Sequence, residues 1–300
     1  MTYYQFVILQ YYFLHQGEEI SHRKISDDLL ISNSLIMKEM DEFISSGLIT
    51  SEGELTEIGM AALEPYKVSQ AVILAAGFGS RMMPATADRP KPMVSVNGRK
   101  IICTLLDALL AAGVDDITIV RGYKKERFNE LLSDYPDLHF IDNDDYDKYN
   151  NISSAVLVKN SFTDGCYLCE ADLFITNPKI ITPYQYRSNI LGSYSIETDD
   201  WSFKMDDEGM VSLYQKGNKN CWNYYGISYW TPEDCKKLNH DWEDIFATEE
   251  GKDVFWEQVP LQLKKNDYKV AIRPCRKQDI MEIDNYYELQ QLDSLYINQQ

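Results

Sequence analysis

Leu74-Ala-Ala-Gly77-Phe-Gly79-Ser80-Arg81-Met-Met-Pro84, with Arg89-Pro-Lys91-Pro-Met93 shortly after it, leads directly out of the apolar run Ala71 to Ala75. A strand that ends in a glycine-rich turn exposes successive backbone N–H groups, and the missing side chains let phosphate oxygens come close. On its own a Gly-x-Gly is as readily a plain turn. The segment is not a dinucleotide fingerprint, because Met82 stands where a third glycine is needed, and it lacks the Gly-Lys-Ser/Thr ending of a P-loop. Two cations lift it above a turn. Arg81 and Lys91, spaced across a proline-containing loop, can hold a triphosphate and neutralise charge at a reacting phosphorus.

Working outward, apolar runs alternate with helical segments: Arg99 to Ala112 helical, Ile117 to Val120 extended, Lys124 to Ser133 helical, His139 to Ile141 extended. That alternation predicts βαβ units and an α/β domain over 70–300, Rossmann-like, with a mixed, mainly parallel sheet flanked by helices. The 300-residue chain is 44% hydrophobic and 25% charged, a composition able to bury a sizeable core. Its net charge of −18 argues against a general nucleic-acid surface, since phosphate backbones are bound by clustered Lys and Arg. The same charge favours a cationic partner. Tyr3 to Leu14 is apolar but far short of the roughly 20 residues of a membrane span, so neither a membrane segment nor a signal peptide is expected. The six cysteines are scattered, and Cys166 and Cys169 have no second pair to complete a zinc site, so free thiols in a cytoplasmic protein are expected.

Residues 1–66 carry helical periodicity in Tyr3 to His15, Ser21 to Leu30 and Ser32 to Ser46, with Ser32 and Ser34 as candidate N-caps and Gly47 as a C-cap. A two-strand wing fits Gly47 to Thr50 and Glu54 to Thr56. This block resembles the winged helix-turn-helix family over about sixty residues. DNA binding, which that resemblance implies, runs against the charge: Arg23, Lys24, Lys38 and Lys67 face eleven acidic residues, and the helix that would read DNA carries Glu39, Asp41 and Glu42. A packing, dimerisation or regulatory role is the preferred expectation, and a homodimer is compatible with it.

L-A-A-G-x-G-x-R followed by P-K is the signature of the nucleotidyltransferase superfamily, which this chain resembles. The resemblance implies that Leu74, Ala75, Ala76, Gly77, Gly79, Ser80 and Arg81 line the triphosphate and that Lys91 contacts the phosphate undergoing transfer. Nucleotidyl transfer needs metal to offset developing charge, so separated carboxylates at strand ends are the natural candidates. Cys166-Tyr-Leu-Cys-Glu170-Ala-Asp172 and Met281-Glu282-Ile-Asp284 are the two segments of that kind, and by resemblance Asp172 and Asp284 hold Mg2+.

Tyr149-Asn150-Asn151-Ile-Ser153-Ser154 and Arg121-Gly-Tyr123 are similar to the bacterial CTP:phosphocholine cytidylyltransferases, a likeness that runs through most of 70–293. It implies CTP and phosphocholine as substrates, with Asn151 and Ser153 near the nucleotide. It also implies Trp201 against the choline, with Glu170 and Glu257 as anionic neighbours. A quaternary ammonium donates no hydrogen bonds and is held by aromatic faces and carboxylates, and Tyr225 stands in an aromatic-rich stretch suited to that role. Lys216 is a candidate for the acceptor phosphate or a solvated lysine. The family pattern has Asp where this chain has Glu170 and Glu257, so choline analogues and other phosphorylated amines stay open. Two rivals remain: a sugar-1-phosphate nucleotidyltransferase, whose acceptor pocket would be polar rather than acidic and aromatic, and a nucleotide-sensing DNA-binding regulator. Related enzymes are sometimes followed by a choline-kinase-like domain, which the same resemblance allows here.

Overall fold

A computed structural model of the protein describes residues 1–297. It divides into two compact units, Met1–Lys67 together with Tyr184–Tyr186, and Val68–Pro183 together with the chain from Arg187 onward.

The first unit holds four helices, α1 (Tyr3–Leu14), α2 (His22–Leu29), α3 (Asn33–Ser45) and α4 (Glu57–Leu63). Each starts where a hydroxyl can take up an orphan backbone donor. Thr2, Ser21, Ser32 and Thr56 accept from the N–H groups of Gln5, Lys24, Leu35 and Gly59. Ser34 lies inside α3 and is not a cap. Gly47 takes a φ of 73°, the left-handed conformation that ends a helix without steric cost. Ile8, Leu9, Ile25, Ile36 and Phe43 close the core of this unit. The two expected wing strands amount to a single bridge, Ile49 to Leu55. Glu39 is buried and accepts a hydrogen bond from Gln5 at 3.0 Å, which leaves Asp41 and Glu42 as the exposed acids of α3.

In the second unit the elements run β1 (Gln70–Ala75), the short strands β2 (Ser95–Val96) and β3 (Arg99–Lys100), α5 (Ile101–Ala111), β4 (Asp116–Arg121) and β5 (His139–Asp142). They continue with α6 (Ile152–Ala155), β6 (Cys166–Glu170), β7 (Leu173–Ile175), β8 (Asn189–Met205) and β9 (Val211–Trp230). The chain closes with α7 (Pro232–Phe246), β10 (Ala271–Pro274), β11 (Ile280–Glu282) and α8 (Tyr286–Leu292). The Lys124 to Ser133 segment forms 3-10 turns rather than an α-helix.

Seven strands make one sheet in the order β10-β8-β9-β6-β1-β4-β5. β6, β1, β4 and β5 pair in parallel, while β9 is antiparallel to both β6 and β8. Alternation along each strand splits the core in two. Ala71, Ile73, Tyr167, Cys169, Tyr225 and Ile227 pack with α5 on one face, and Val72, Leu74, Leu168, Trp230, Trp242 and Trp256 pack on the other. The chain leaves β1 toward β4 and β5, then returns to lay β6 on the opposite side of β1. Ligands bind outside the carboxyl ends of strands at such a switch point, and that is where both the glycine-rich turn and Asp172 emerge. No helix among the described residues is long and apolar enough to cross a membrane.

Candidate active site

A cleft of about 850 Å³ opens at that switch point. Its lining includes Leu74, Ala75, Ala76, Gly77, Gly79, Ser80, Arg81 and Lys91, together with Asn151 and Ser153. Gly79 has a φ of 62°, and a Cβ there would lie 2.7 Å from that of Lys91, so both backbone and space demand glycine. A Cβ on Gly77 would meet nothing within 4 Å, which leaves the turn open to the cleft. Ser153 is buried, its hydroxyl 3.0 Å from the Asn143 side-chain amide that donates to it. Asn151 accepts from the Trp256 backbone N–H at 2.8 Å, which ties the turn before α6 to the segment carrying Glu257.

Lys91 is nearly fully buried, and its ammonium donates to Asp172 at 2.9 Å and to Asp284 at 3.4 Å. Burial pulls its pKa down, but Asp172, Asp284 and Glu282 outweigh that and leave it raised, so the lysine stays charged. Arg81 donates to Asp284 at 3.0 Å. Asp172, Glu282 and Asp284 bring carboxylate oxygens within 4.8 Å of one another. Glu282 had not been singled out as a ligand from the sequence, although residues two apart at the end of an extended strand project to one side. Burial, then Asp172 and Asp284, push its carboxyl up to about 8. Oδ1 of Asp172 is buried with no hydrogen-bond partner. Three converging carboxylates, one with an unsatisfied buried oxygen, suit a hard divalent cation.

The same cleft is lined by Glu170, Trp201, Lys216, Tyr224 and Glu257. Trp201 stacks on Tyr214 at 4.8 Å with 17° between the ring planes. Tyr224 donates to Glu170 at 3.1 Å and Tyr214 to Glu257 at 3.2 Å. Burial pushes Glu257 up to about 7. Glu170 is held well above the carboxylate range by burial, then by Glu257 and Asp172. Oε2 of Glu257 is buried and has no hydrogen-bond partner among the described residues. Lys216 pairs across the ladder with Trp201, which puts it at the cleft. Tyr225 does not belong to this set. It packs with Tyr167 and Ile227 on the α5 face and shares a hydrogen bond with Ser193 at 3.0 Å. Neighbouring residues of a strand point to opposite faces, so Tyr224 faces the cleft because Tyr225 does not.

Residues 71–183 match the MobA-like NTP transferase domain family. The chain is 36% identical over 231 residues to a 2-aminoethylphosphonate cytidylyltransferase of Lancefieldella rimae, a match covering 76% of this chain and 94% of that one. It is 29% identical to a choline-phosphate cytidylyltransferase of Streptococcus pneumoniae, over 77% of this chain and 99% of that one. A solved structure described as the CTP:phosphocholine cytidylyltransferase from Streptococcus pneumoniae superposes with a TM-score of 0.70 and 27% identity, covering 76% of this chain and 99% of that one.

Proposed function

The chain belongs to the cytidylyltransferases of the nucleotidyltransferase superfamily, and from that premise we propose that it transfers CMP from CTP to a small acceptor carrying a phosphoryl or phosphonyl group and an ammonium group. An acceptor oxygen attacks the α-phosphorus in line, the bond to the β-phosphate oxygen breaks, and pyrophosphate leaves. The turn from Gly77 to Ser80 offers backbone N–H groups to the triphosphate, and Arg81 anchors the leaving pyrophosphate. Lys91, fixed by burial and charged, stabilises the negative charge that builds on the α-phosphoryl oxygens. Asp172, Glu282 and Asp284 would hold a divalent cation, proposed as Mg2+, which would further neutralise charge on the reacting phosphates.

The observation that carries the acceptor assignment is the carboxylate pair of half-buried Glu170 and buried Glu257 beside Trp201, Tyr214 and Tyr224. Two such acids attract a cation. The unpartnered Oε2 of Glu257 adds a demand for a hydrogen-bond donor. A primary ammonium carries three N–H donors, whereas a trimethylammonium carries none. We therefore favour a 2-aminoethyl acceptor, a phosphonate as in the Lancefieldella relative's name or the corresponding phosphate, over phosphocholine. Phosphocholine is the second reading, favoured by the Trp201 face, which suits a cation without donors.

Steady-state kinetics with CTP and saturating Mg2+ decide between them. The kcat/KM for 2-aminoethylphosphonate or phosphoethanolamine is expected to exceed that for phosphocholine by about tenfold or more, the cost of leaving a buried acceptor oxygen unpaired. A preference for phosphocholine would reverse the assignment.

A further inference from the structure

We propose that Gly226 is a specificity-determining position: by carrying no side chain it lets the Glu170 carboxylate lie back against β9, and so sets the room left for the acceptor's cationic head. The inference rests on the reading that Glu170 faces the acceptor.

β6 and β9 pair with Cys169 opposite Ile227, so one step along the ladder Glu170 faces Gly226. Directly opposed residues in an antiparallel pair normally keep their Cβ atoms about 4.5 to 5.5 Å apart, with both side chains standing on the same face. Here one of the two stands alone. A Cβ built on Gly226 would lie 2.4 Å from Glu170 Oε2 and 2.5 Å from both its Cδ and its Cγ. The glutamate side chain therefore runs across the space that any other residue at 226 would fill. Backbone geometry does not demand glycine at this position. Its backbone lies outside the left-handed region, and the three nearest obstacles all belong to one flexible side chain rather than to the backbone of a neighbouring strand.

Tyr224, two residues earlier and so on the same face of β9, donates to Oε1 of Glu170 at 3.1 Å. The phenol fixes one oxygen and the bare glycine receives the other. A methyl group at 226 lifts the carboxylate off β9 toward the cleft, breaks the geometry of the Tyr224 bond and narrows the acceptor end. The strand itself keeps its path, because an alanine fits an ordinary extended conformation. The nucleotide end, built on the turn after β1, is untouched.

The test compares Gly226→Ala, Glu170→Ala and the double variant, reading the KM for 2-aminoethylphosphonate, the KM for CTP and the melting temperature. Gly226→Ala is expected to raise the acceptor KM by about tenfold while the CTP KM stays within about twofold, since only one end of the cleft is altered. In the Glu170→Ala background the same change should add less than about twofold, because alanine has no Cγ to meet residue 226; coupling of this kind is what contacting residues show. Equal effects in both backgrounds, an unchanged acceptor KM in Gly226→Ala, or loss of its fold would each overturn the proposal. Glu170→Ala alone reports on the premise: if its acceptor KM does not move, Glu170 does not face the acceptor, and the placement of the acceptor fails before Gly226 is considered.

Discussion

The two ends of the cleft are built by different means. At the proposed nucleotide end most of the lining comes from one continuous stretch, Leu74 to Lys91, in which turn glycines present backbone donors and two cations follow at short spacing, with Asn151 and Ser153 added from the start of α6. At the proposed acceptor end Glu170, Trp201 and Tyr224 meet through the pairing of β6, β8 and β9, and Glu257 joins them from the chain after α7, held by Tyr214. Phosphates are recognised by backbone geometry that a local motif can specify in full. A cationic head is recognised by side-chain faces, which depend on strand register. The first end can therefore stay constant while the second is retuned by single residues.

If that division is right, the largest effect belongs to the charge at the transferred phosphate. Lys91→Ala should lower kcat by about 10² to 10³ at unchanged acceptor preference, as removal of a preorganised charge stabiliser does; near-normal turnover would take Lys91 out of the mechanism. Next in size, Glu257→Gln should raise the acceptor KM by about tenfold, the worth of a charge-assisted hydrogen bond, with the CTP KM unmoved. Its pH dependence sharpens the comparison. The Glu257 carboxyl is raised from its ordinary 4.5 to about 7, so the charged form that attracts an ammonium fills only as pH rises through about 7. The wild-type acceptor KM should fall across that window and the Gln variant's should not. The sign for stability is opposite: the contribution of Glu257 is fully present below 4.5 and lost as pH rises through about 7, so the melting temperature of the Gln variant should overtake wild type on the alkaline side. The smallest effect separates two neighbours. Tyr224→Phe should raise the acceptor KM about threefold to tenfold through the lost bond to Glu170, while Tyr225→Phe, on the other face of β9, should change it by less than about twofold.

The same division explains what could be read without coordinates. The turn after β1, the parallel strands, the first three helices of the first unit and the Ser32 cap are local, and the sequence shows them directly; α4 and the hydroxyl caps Thr2, Ser21 and Thr56 emerge only in the structure. Asp172 and Asp284 both lie against Lys91, and Glu282 joins them because it stands two residues before Asp284 on an extended segment, so both carboxylates project to one side. Tyr225 was the wrong member of a Tyr-Tyr pair: only the register of β9 against β6 tells which one faces the cleft. β8 and β9 themselves escape a periodicity reading, since their pairing shifts register several times between Ile190 and Met205. The wing reduces to one bridge because α3 ends at Ser45 and α4 begins at Glu57, which leaves only about three residues on each side of the turn at 50–53 to pair.

The central claim, that this cleft joins CTP to an acceptor bearing an ammonium, is tested most directly by pyrophosphate release with Mg2+ across the four NTPs and a panel of 2-aminoethylphosphonate, phosphoethanolamine, phosphocholine, glucose-1-phosphate and inositol-1-phosphate. The account expects release confined to CTP and to the ammonium-bearing acceptors. Comparable turnover with a sugar or inositol phosphate, or none with any ammonium-bearing acceptor, would contradict it.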